Sequence, residues 1–345
     1  MNEIRKDGFV VNKAVEILLA SDTPTAISKS IGLAMISISE AWAEINPDII
    51  VILGDRYEAM AAALAALVAG IPVAHIHGGE TTEGAIDEAL RHSITKISQI
   101  HFASTEDYRR RIIQLGEHPE TVFNVGSLGL DRLDKVDLII DRSAFEKTIN
   151  FKLGERSLLV TYHPETLGNE SSKDQFSEVL AALRSVCDTT FVFTYPNADP
   201  EGQMIIEMIE ESVCERPDRS IAFASLGQQL YFSALLHVDG VVGNSSSGII
   251  EVPSFHIGTV DIGNRQKGRI RPDSVVHCAA TRDAILSAVN TILSETFIEA
   301  CKEQQNPYKK PDTAREICRL LEQNIPKRPL QKQFYDLECA SEDCG

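Results

Sequence analysis

An apolar, β-branched run from Asp48 to Leu53 stops at Gly54. An alanine- and leucine-rich run from Arg56 to Val68 stops before Gly70, and a second apolar run extends from Ile71 to Ile76. The first and third runs have the length and composition of buried strands. The middle one reads as a helix with a glycine stop. Strand, helix and strand in so short a stretch form a right-handed βαβ unit with two parallel strands. A parallel sheet is covered by helices on both faces, so the expected fold class is α/β. Asp55 and Arg56 then follow the first strand, and His77, Gly78, Gly79 and Glu80 the second. Open α/β sheets bind ligands along that carboxyl edge.

The same alternation runs through the chain. Thr23-Pro24 opens a helix reaching about Ile45. Gly84 to Ser98 is a helix carrying Asp87, Arg91 and His92, of which Asp87 and Arg91 are four apart and share a face. Ile100 to Ala103 and Val122 to Val125 read as strands around a helix from Glu106 to Leu115. Asp137 to Leu153 has a weaker pattern and ends in Gly154, which places a domain boundary there. Beyond it, strands at Ser157, Thr190, Ser220, Gly240, Ile257 and Val275 alternate with helices, and Thr313 to Gln323 reads as a helix returning to the first domain. The expectation is two Rossmann-like domains, 1–150 and 151–325, facing a central cleft, with a poorly ordered tail at 326–345.

Composition removes several function classes. The net charge of −17, from 50 acidic and 33 basic residues, argues against a nucleic-acid or anionic-membrane surface. It leaves room for a local basic pocket holding a phosphorylated small molecule. The 7 cysteines are odd in number and form no CxxC pair, which reads as reduced thiols in a cytoplasmic protein. No signal peptide opens the chain, and no apolar run has membrane-spanning length.

Gly243-Asn244-Ser245-Ser246-Ser247-Gly248 lies between a strand and a helix. Its small residues admit an anion to the backbone N–H groups at the helix start, and the competing reading is a serine-rich helix cap. Arg265, Lys267, Arg269 and Arg271 cluster in an acidic chain, either as a solvated loop or as diphosphate contacts. His75 and His77 alternate along a strand and point to one face. With Glu80 and Asp87 they fit a metal site or an acid–base group, and the spacing matches no specific zinc pattern. Asp55 is either a cap for the following helix or an acid–base carboxylate. His163, before a proline at a strand end, is a turn residue or a phosphate-side group.

Several motifs in one order carry a family resemblance. They are Leu53-Gly54-Asp55-Arg56-Tyr57-Glu58, His75-Ile76-His77-Gly78-Gly79-Glu80, Ile86-Asp87-Glu88-Ala89-Leu90-Arg91-His92, His163-Pro164-Glu165-Thr166, the Gly243–Gly248 run with Glu251-Val252-Pro253, and Gly263-Asn264-Arg265-Gln266-Lys267-Gly268-Arg269. Together, from about Gly8 to about Leu321, the chain resembles the hydrolysing UDP-N-acetylglucosamine 2-epimerases of sialic-acid and legionaminic-acid biosynthesis. The resemblance implies a glycosyltransferase-B-like fold, a sugar-nucleotide substrate, a homo-oligomer, and neither cofactor nor metal. The implied reaction turns UDP-N-acetylglucosamine and water into N-acetylmannosamine and UDP through a glycal.

The implied roles follow the motifs. Asp55, Glu80 and Asp87 fall where the family carries acid–base carboxylates, with Arg56, Arg91 and His92 beside them. Relatives outside the hydrolysing branch have a glutamate where His77 stands, so its carboxylate role passes here to Glu80. His163 matches a diphosphate-side histidine and Asn197 a uridine-side residue. Gly243, Asn244, Ser245, Ser246 and Glu251 match the diphosphate and ribose contacts, and Arg265 a further nucleotide contact.

In one respect the chain departs from the family, which opens with a strand ending in Gly-Ser-Arg-Ala-(Glu or Asp)-Tyr. No such motif precedes Thr23. The expectation is a first sheet short of a strand, with neighbouring strands uncovered, and a chain less stable and less active than one extended upstream. Two alternatives stay open. One is the same chemistry on a GDP-linked N-acetylglucosamine or a UDP-linked diacetamido-trideoxyhexose. The other is an inactive sugar-nucleotide-binding protein.

Overall fold

The computed structural model describes residues 4–5, 8–17, 19, 23–83, 86–133, 135–165, 171–196, 202–326 and 331–337. Two compact units make up the chain. One comprises Met1–Glu80, Ala89–Val125 and Arg315–Gly345, the other Thr81–Glu88 and Gly126–Ala314. The crossing at Val125/Gly126 precedes the boundary expected near Gly154, and the chain returns to the first unit in its last helix.

The first unit begins with α1 (Pro24–Ile45). The Thr23 side chain accepts from the Ala26 N–H at 3.3 Å, and Pro24 presets the first helical φ. Next come β1 (Ile50–Leu53), α2 (Tyr57–Val68), β2 (Val73–Ile76), α3 (Asp87–Ile97), whose first two residues fall in the second unit, β3 (Ile100–Ala103), α4 (Glu106–Gln114) and β4 (Val122–Asn124). The four strands are parallel in the order β1-β2-β3-β4. Their register aligns Ile52, His75 and His101. In β1, Ile50 and Ile52 pack inward with Ala63, Ala66, Val73 and Ile94. Val51 and Leu53, on the opposite side of the pleat, stay 47% and 60% exposed, and β1 is an edge strand.

The second unit carries α5 (Arg142–Ile149), β5 (Arg156–Thr161), α6 (Ser172–Ser185), β6 (Thr189–Thr194), α7 (Gly202–Glu215), β7 (Ser220–Phe223), α8 (Gly227–Leu235), β8 (Gly240–Gly243), α9 (Ser247–Ile250), β9 (Gly258–Ile262), β10 (Val275–Cys278), α10 (Arg282–Ile292) and α11 (Glu295–Glu303). Its six-stranded parallel sheet has the order β10-β9-β8-β5-β6-β7. Strand periodicity builds two cores. Leu158, Val160, Phe191, Phe193 and Val242 enter one, while Leu159, Val192 and Val241 enter the other. Fully burying an aliphatic side chain of this size contributes roughly 1.5–3 kcal/mol, so these alternating runs hold both helix layers on the sheet.

Helix α5 forms inside the weakly patterned stretch. Asp141 caps it by accepting from the Ala144 N–H at 2.7 Å, and Asn150 ends it in the left-handed conformation. Helix α11 was not anticipated either.

α12 (Thr313–Asn324) falls largely in the first unit, as expected of a returning helix. The tail corrects its expectation over residues 331–337. Lys332 donates to the carbonyls of Lys96 and Ser98 at 2.8 and 2.6 Å, at the end of α3. Lys96 stands 4.9 Å over the Phe334 ring, and the Tyr335 N–H donates to Gly116 at 3.0 Å.

Among the described residues no single helix is long and apolar enough to cross a membrane. The described cysteines, Cys187, Cys214, Cys278, Cys301 and Cys318, are free thiols.

Candidate active site

In the first unit the turns after β1 and β2 converge on Arg91, one turn into α3. The Arg91 guanidinium, 1% exposed, pairs with the Asp55 carboxylate through Nη2. Its Nη1 donates to the Glu80 backbone carbonyl at 2.8 Å. The cap reading of Asp55 does not hold. The residue at the N-cap of α2 is Arg56, which makes no side-chain cap, and Asp55 is an ion-pair partner. Arg56 itself lies more than half exposed, 3.5 Å from Glu58.

Glu80 is nearly enclosed. Its Oε1 accepts from His77 Nδ1 at 2.7 Å and from the buried Ser104 hydroxyl at 2.8 Å. The loop between β2 and Glu80 is bent tightly. Gly79 adopts φ +75, and a Cβ there would meet the Tyr108 carbonyl at 2.4 Å. Arg111 secures the same glycine by donating to its carbonyl at 2.6 Å.

His75 and His77 part company. His75 Nε2 faces the Gly54 carbonyl at 2.8 Å, which can only accept, so this nitrogen carries the hydrogen. Nδ1 is left to accept from the Thr95 hydroxyl at 3.2 Å. Burial holds the ring neutral, with its pKa pushed down to about 3. Both nitrogens are thereby committed to the fold. Among the described residues no group of three or more His, Cys, Asp or Glu could hold a metal ion. Activity is therefore expected to survive exhaustive EDTA treatment. Loss of turnover restored by one divalent ion would return His75, His77 and Glu80 to a metal role.

In the second unit the turn after β8 holds the other motifs. Gly243 has φ +149 and lies so close to β5 that a Cβ would meet the Thr161 carbonyl at 1.8 Å. The buried Asn244 side chain ties this turn to the one after β5. Its Oδ1 accepts from the His163 N–H at 2.7 Å, and its Nδ2 donates to the His163 carbonyl at 2.8 Å. Burial, aided by Arg265, holds the His163 ring neutral, with its pKa lowered to about 3. At neutral pH the ring carries no charge.

Ser246 caps α9 through its backbone, accepting from the N–H groups of Ile249 and Ile250 at 3.1 and 3.0 Å. The Ser247 hydroxyl pairs with that of Tyr231, and Glu251 closes α9. That helix has only 4 residues, so it supplies little of the dipole expected at this loop.

The structure also sorts the basic cluster. Arg265 Nη1 donates to the Asn244 carbonyl at 3.2 Å. Lys267 pairs with Glu83 at 3.0 Å, and Arg271 with the buried Asp261 at 2.8 Å. Glu165 shapes the turn before them, its Oε1 accepting from the Asn264 and Arg265 N–H groups at 2.7 and 3.2 Å.

Asp87 opens α3, one turn before Arg91, and His92 follows on the same helix. Asn197 lies outside the described residues. Sequence reasoning passed over Ser104, Glu165 and Tyr231. Glu165 stood inside a motif already singled out, whereas Ser104 lies directly before Thr105, the N-cap of α4, where a serine draws no notice.

Comparison with known proteins yields one family profile, UDP-N-acetylglucosamine 2-epimerase, matching residues 1–322. The chain is 37% identical over 344 residues to the polysialic acid biosynthesis protein P7 of Escherichia coli, covering 98% of this chain and 86% of that one. It is 39% identical over 274 residues to the GDP/UDP-N,N'-diacetylbacillosamine 2-epimerase (hydrolyzing) of Campylobacter jejuni, covering 79% and 71%. The fold superposes on the crystal structure of UDP-GlcNAc 2-epimerase from Neisseria meningitidis bound to UDP-GlcNAc with a TM-score of 0.80 at 16% identity, covering 93% of this chain and 88% of that one.

Proposed function

The chain belongs to the UDP-N-acetylglucosamine 2-epimerase family, and on that premise we propose that it catalyses hydrolysing 2-epimerisation of UDP-N-acetylglucosamine to N-acetylmannosamine and UDP. The observation that carries the chemistry is the buried network joining Asp55, Arg91, Glu80 and His77 at the carboxyl edge of the first sheet. Carboxylates and an imidazole held this firmly are suited to moving a proton at C2. The C2–H electron pair then forms the C1=C2 bond of a glycal, and the diphosphate leaves C1 with the C–O pair. Water adds at C1, and C2 is reprotonated on the other face.

Asp55, Asp87 and the His77–Glu80 pair are the acid–base groups of this reading. Arg56, Arg91 and His92 support the sugar side. Gly243, Asn244, Ser245, Ser246, Arg265 and the neutral His163 serve the diphosphate, with Glu251 and Asn197 on the nucleoside. Donors fixed before the reaction stabilise the charge growing on the leaving diphosphate.

A second reading keeps the chemistry and changes the sugar, to a UDP- or GDP-linked diacetamido-trideoxyhexose. The Campylobacter jejuni relative, named for that substrate, favours it. Purified protein incubated with each sugar nucleotide in D2O separates the readings. The expected products are nucleoside diphosphate and a free 2-epimerised sugar with deuterium at C2. Recovery of an epimerised UDP-sugar would instead show a non-hydrolysing enzyme, and no product at all a binding protein. The reading carries two further expectations, a cytoplasmic location and a homo-oligomeric state, the latter read directly by sedimentation equilibrium.

Ser246→Ala is expected to weaken UDP binding by about tenfold or more, since a hydroxyl bonded to a charged phosphate is worth roughly 1.5–3 kcal/mol. Calorimetry showing unchanged UDP affinity would leave the serine loop as a helix cap.

A further inference from the structure

Resting on the sugar-nucleotide reading and extending it, we propose that Glu165 is a positioning residue for the diphosphate. It acts by fixing the turn that carries Arg265, and not by touching phosphate. Three neighbouring strands deliver the turns concerned. In the sheet order β9-β8-β5, Gly263–Arg269 follows β9, Asn244 follows β8, and His163–Glu165 follows β5.

Hydrogen bonds join the three turns in a closed circuit. The Asn244 side chain accepts from the His163 N–H at 2.7 Å and donates to the His163 carbonyl at 2.8 Å. The Asn244 carbonyl accepts from Arg265 Nη1 at 3.2 Å and from Gln266 Nε2 at 2.9 Å. Glu165 completes the circuit from the turn after β5 to the turn after β9, although β8 stands between them in the sheet. Its Oε1 accepts from the Asn264 and Arg265 N–H groups at 2.7 and 3.2 Å. All of these residues belong to the second unit.

Two successive backbone N–H groups aimed at one anionic oxygen form a nest, a concavity that holds anions. Here a side chain of the same chain fills it. Gly263 adopts φ +73, and a Cβ there would come within 2.3 Å of Glu165 Oε1. Another residue at this position would expel the oxygen as well as strain the turn. Gln266 is buried and Asn264 exposed, so Gln266 holds the inner end of the turn and Glu165 the outer end.

The charge of Glu165 works against a diphosphate, since like charges repel. What the residue supplies is an acceptor. Without it the Asn264 and Arg265 N–H groups turn to water, and Arg265 loses the backbone conformation from which it reaches the Asn244 carbonyl. Donors that stabilise a leaving diphosphate act best when fixed before the reaction. A loosened turn therefore costs nucleotide affinity and kcat together.

Three substitutions separate the acceptor from the charge. Glu165→Ala removes both and is expected to weaken UDP binding about tenfold by calorimetry, and to lower kcat as well. Glu165→Gln keeps a carbonyl oxygen on the same stem, so UDP affinity should stay within about threefold of wild type. Gly263→Ala crowds Oε1 out of its seat from the other side and should cost at least as much as Glu165→Ala. A residue that acts through Arg265 also gives a non-additive pair. In an Arg265→Ala background, Glu165→Ala should weaken UDP binding by less than about twofold. Thermal melts establish that each variant is folded at the assay temperature.

Glu165→Ala with UDP affinity within about twofold of wild type would overturn the assignment. So would Glu165→Gln falling as far as Glu165→Ala, which makes the charge itself the functional group, and so would additive losses in the double variant. If Glu165→Ala does not fold, the contrast between Glu165→Gln and Gly263→Ala decides in the same way. Wild-type protein without measurable UDP affinity is a separate failure, that of the nucleotide reading, and removes this inference with it.

Discussion

The Asp87→Asn variant is expected to lose turnover by about 10²–10⁴-fold while UDP affinity stays within about twofold of wild type. Asp87 is the first residue of α3, the helix that one turn later supplies the buried Arg91. A carboxamide keeps the shape of the carboxylate and cannot accept a proton, so the chemical step suffers and binding does not. Rates of UDP release set beside calorimetric affinities for UDP make the comparison. Turnover within a few-fold of wild type would remove Asp87 from the acid–base set. A loss confined to UDP affinity would make it a binding residue.

Replacing Glu117 by Gln is expected to destabilise the protein by about 3 kcal/mol at pH 7, the lower end of the range for breaking a buried ion pair. Glu117 is 1% exposed and accepts from Lys332 at 2.6 Å, Lys96 at 2.7 Å and the buried His101 at 3.0 Å. The variant leaves the half-buried Lys332 without its anion, while Lys96, 41% exposed, can turn to solvent.

Acid should erase the difference. Burial pushes the Glu117 carboxyl up, but the bonds from His101, Lys332 and Lys96 outweigh it and hold it at about 2, against 4.5 unfolded. A depressed carboxyl contributes stability above the unfolded value and loses it as pH falls through 4.5 toward 2. His101 adds a loss of stability in acid that wild type and variant share. Burial lowers its pKa from 6.5, so below that pH the unfolded chain takes up a proton that the folded one refuses. Urea midpoints of wild type and variant from pH 7 down to pH 3 provide the measurement. A gap below about 1 kcal/mol at pH 7, or one that widens in acid, would show that the cluster contributes little.

Much of the first sheet was legible because strand and helix write different periods into a sequence. Ile50 and Ile52 face in while Val51 and Leu53 face out, and Ala61 to Val68 fill one continuous helix. The carboxyl-edge motifs were legible for the same reason, since a strand that ends at Leu53 or Ile76 delivers Asp55 or His77 to that edge. Helix α5 was missed because its signal is a cap. Asp141 and Asn150 define its ends, whereas its 8 residues are too few for a clear apolar stripe.

What the sequence determined by itself was therefore local: two parallel α/β sheets, the family, and the residue types gathered at the strand ends. Which partner each of those residues took was decided only by the tertiary structure. Asp55, two residues before Tyr57, stands in sequence where it could cap the helix beside it; packing instead set it against Arg91, 36 residues away. Glu80 received Ser104 from 24 residues on, and Arg271 paired with Asp261. Lys332 reached Glu117 from a tail whose composition signals no structure. Covalent spacing encodes period and direction along one element. Desolvation and hydrogen-bond geometry choose among acceptors far apart in the chain, and those choices exist only once the elements have packed.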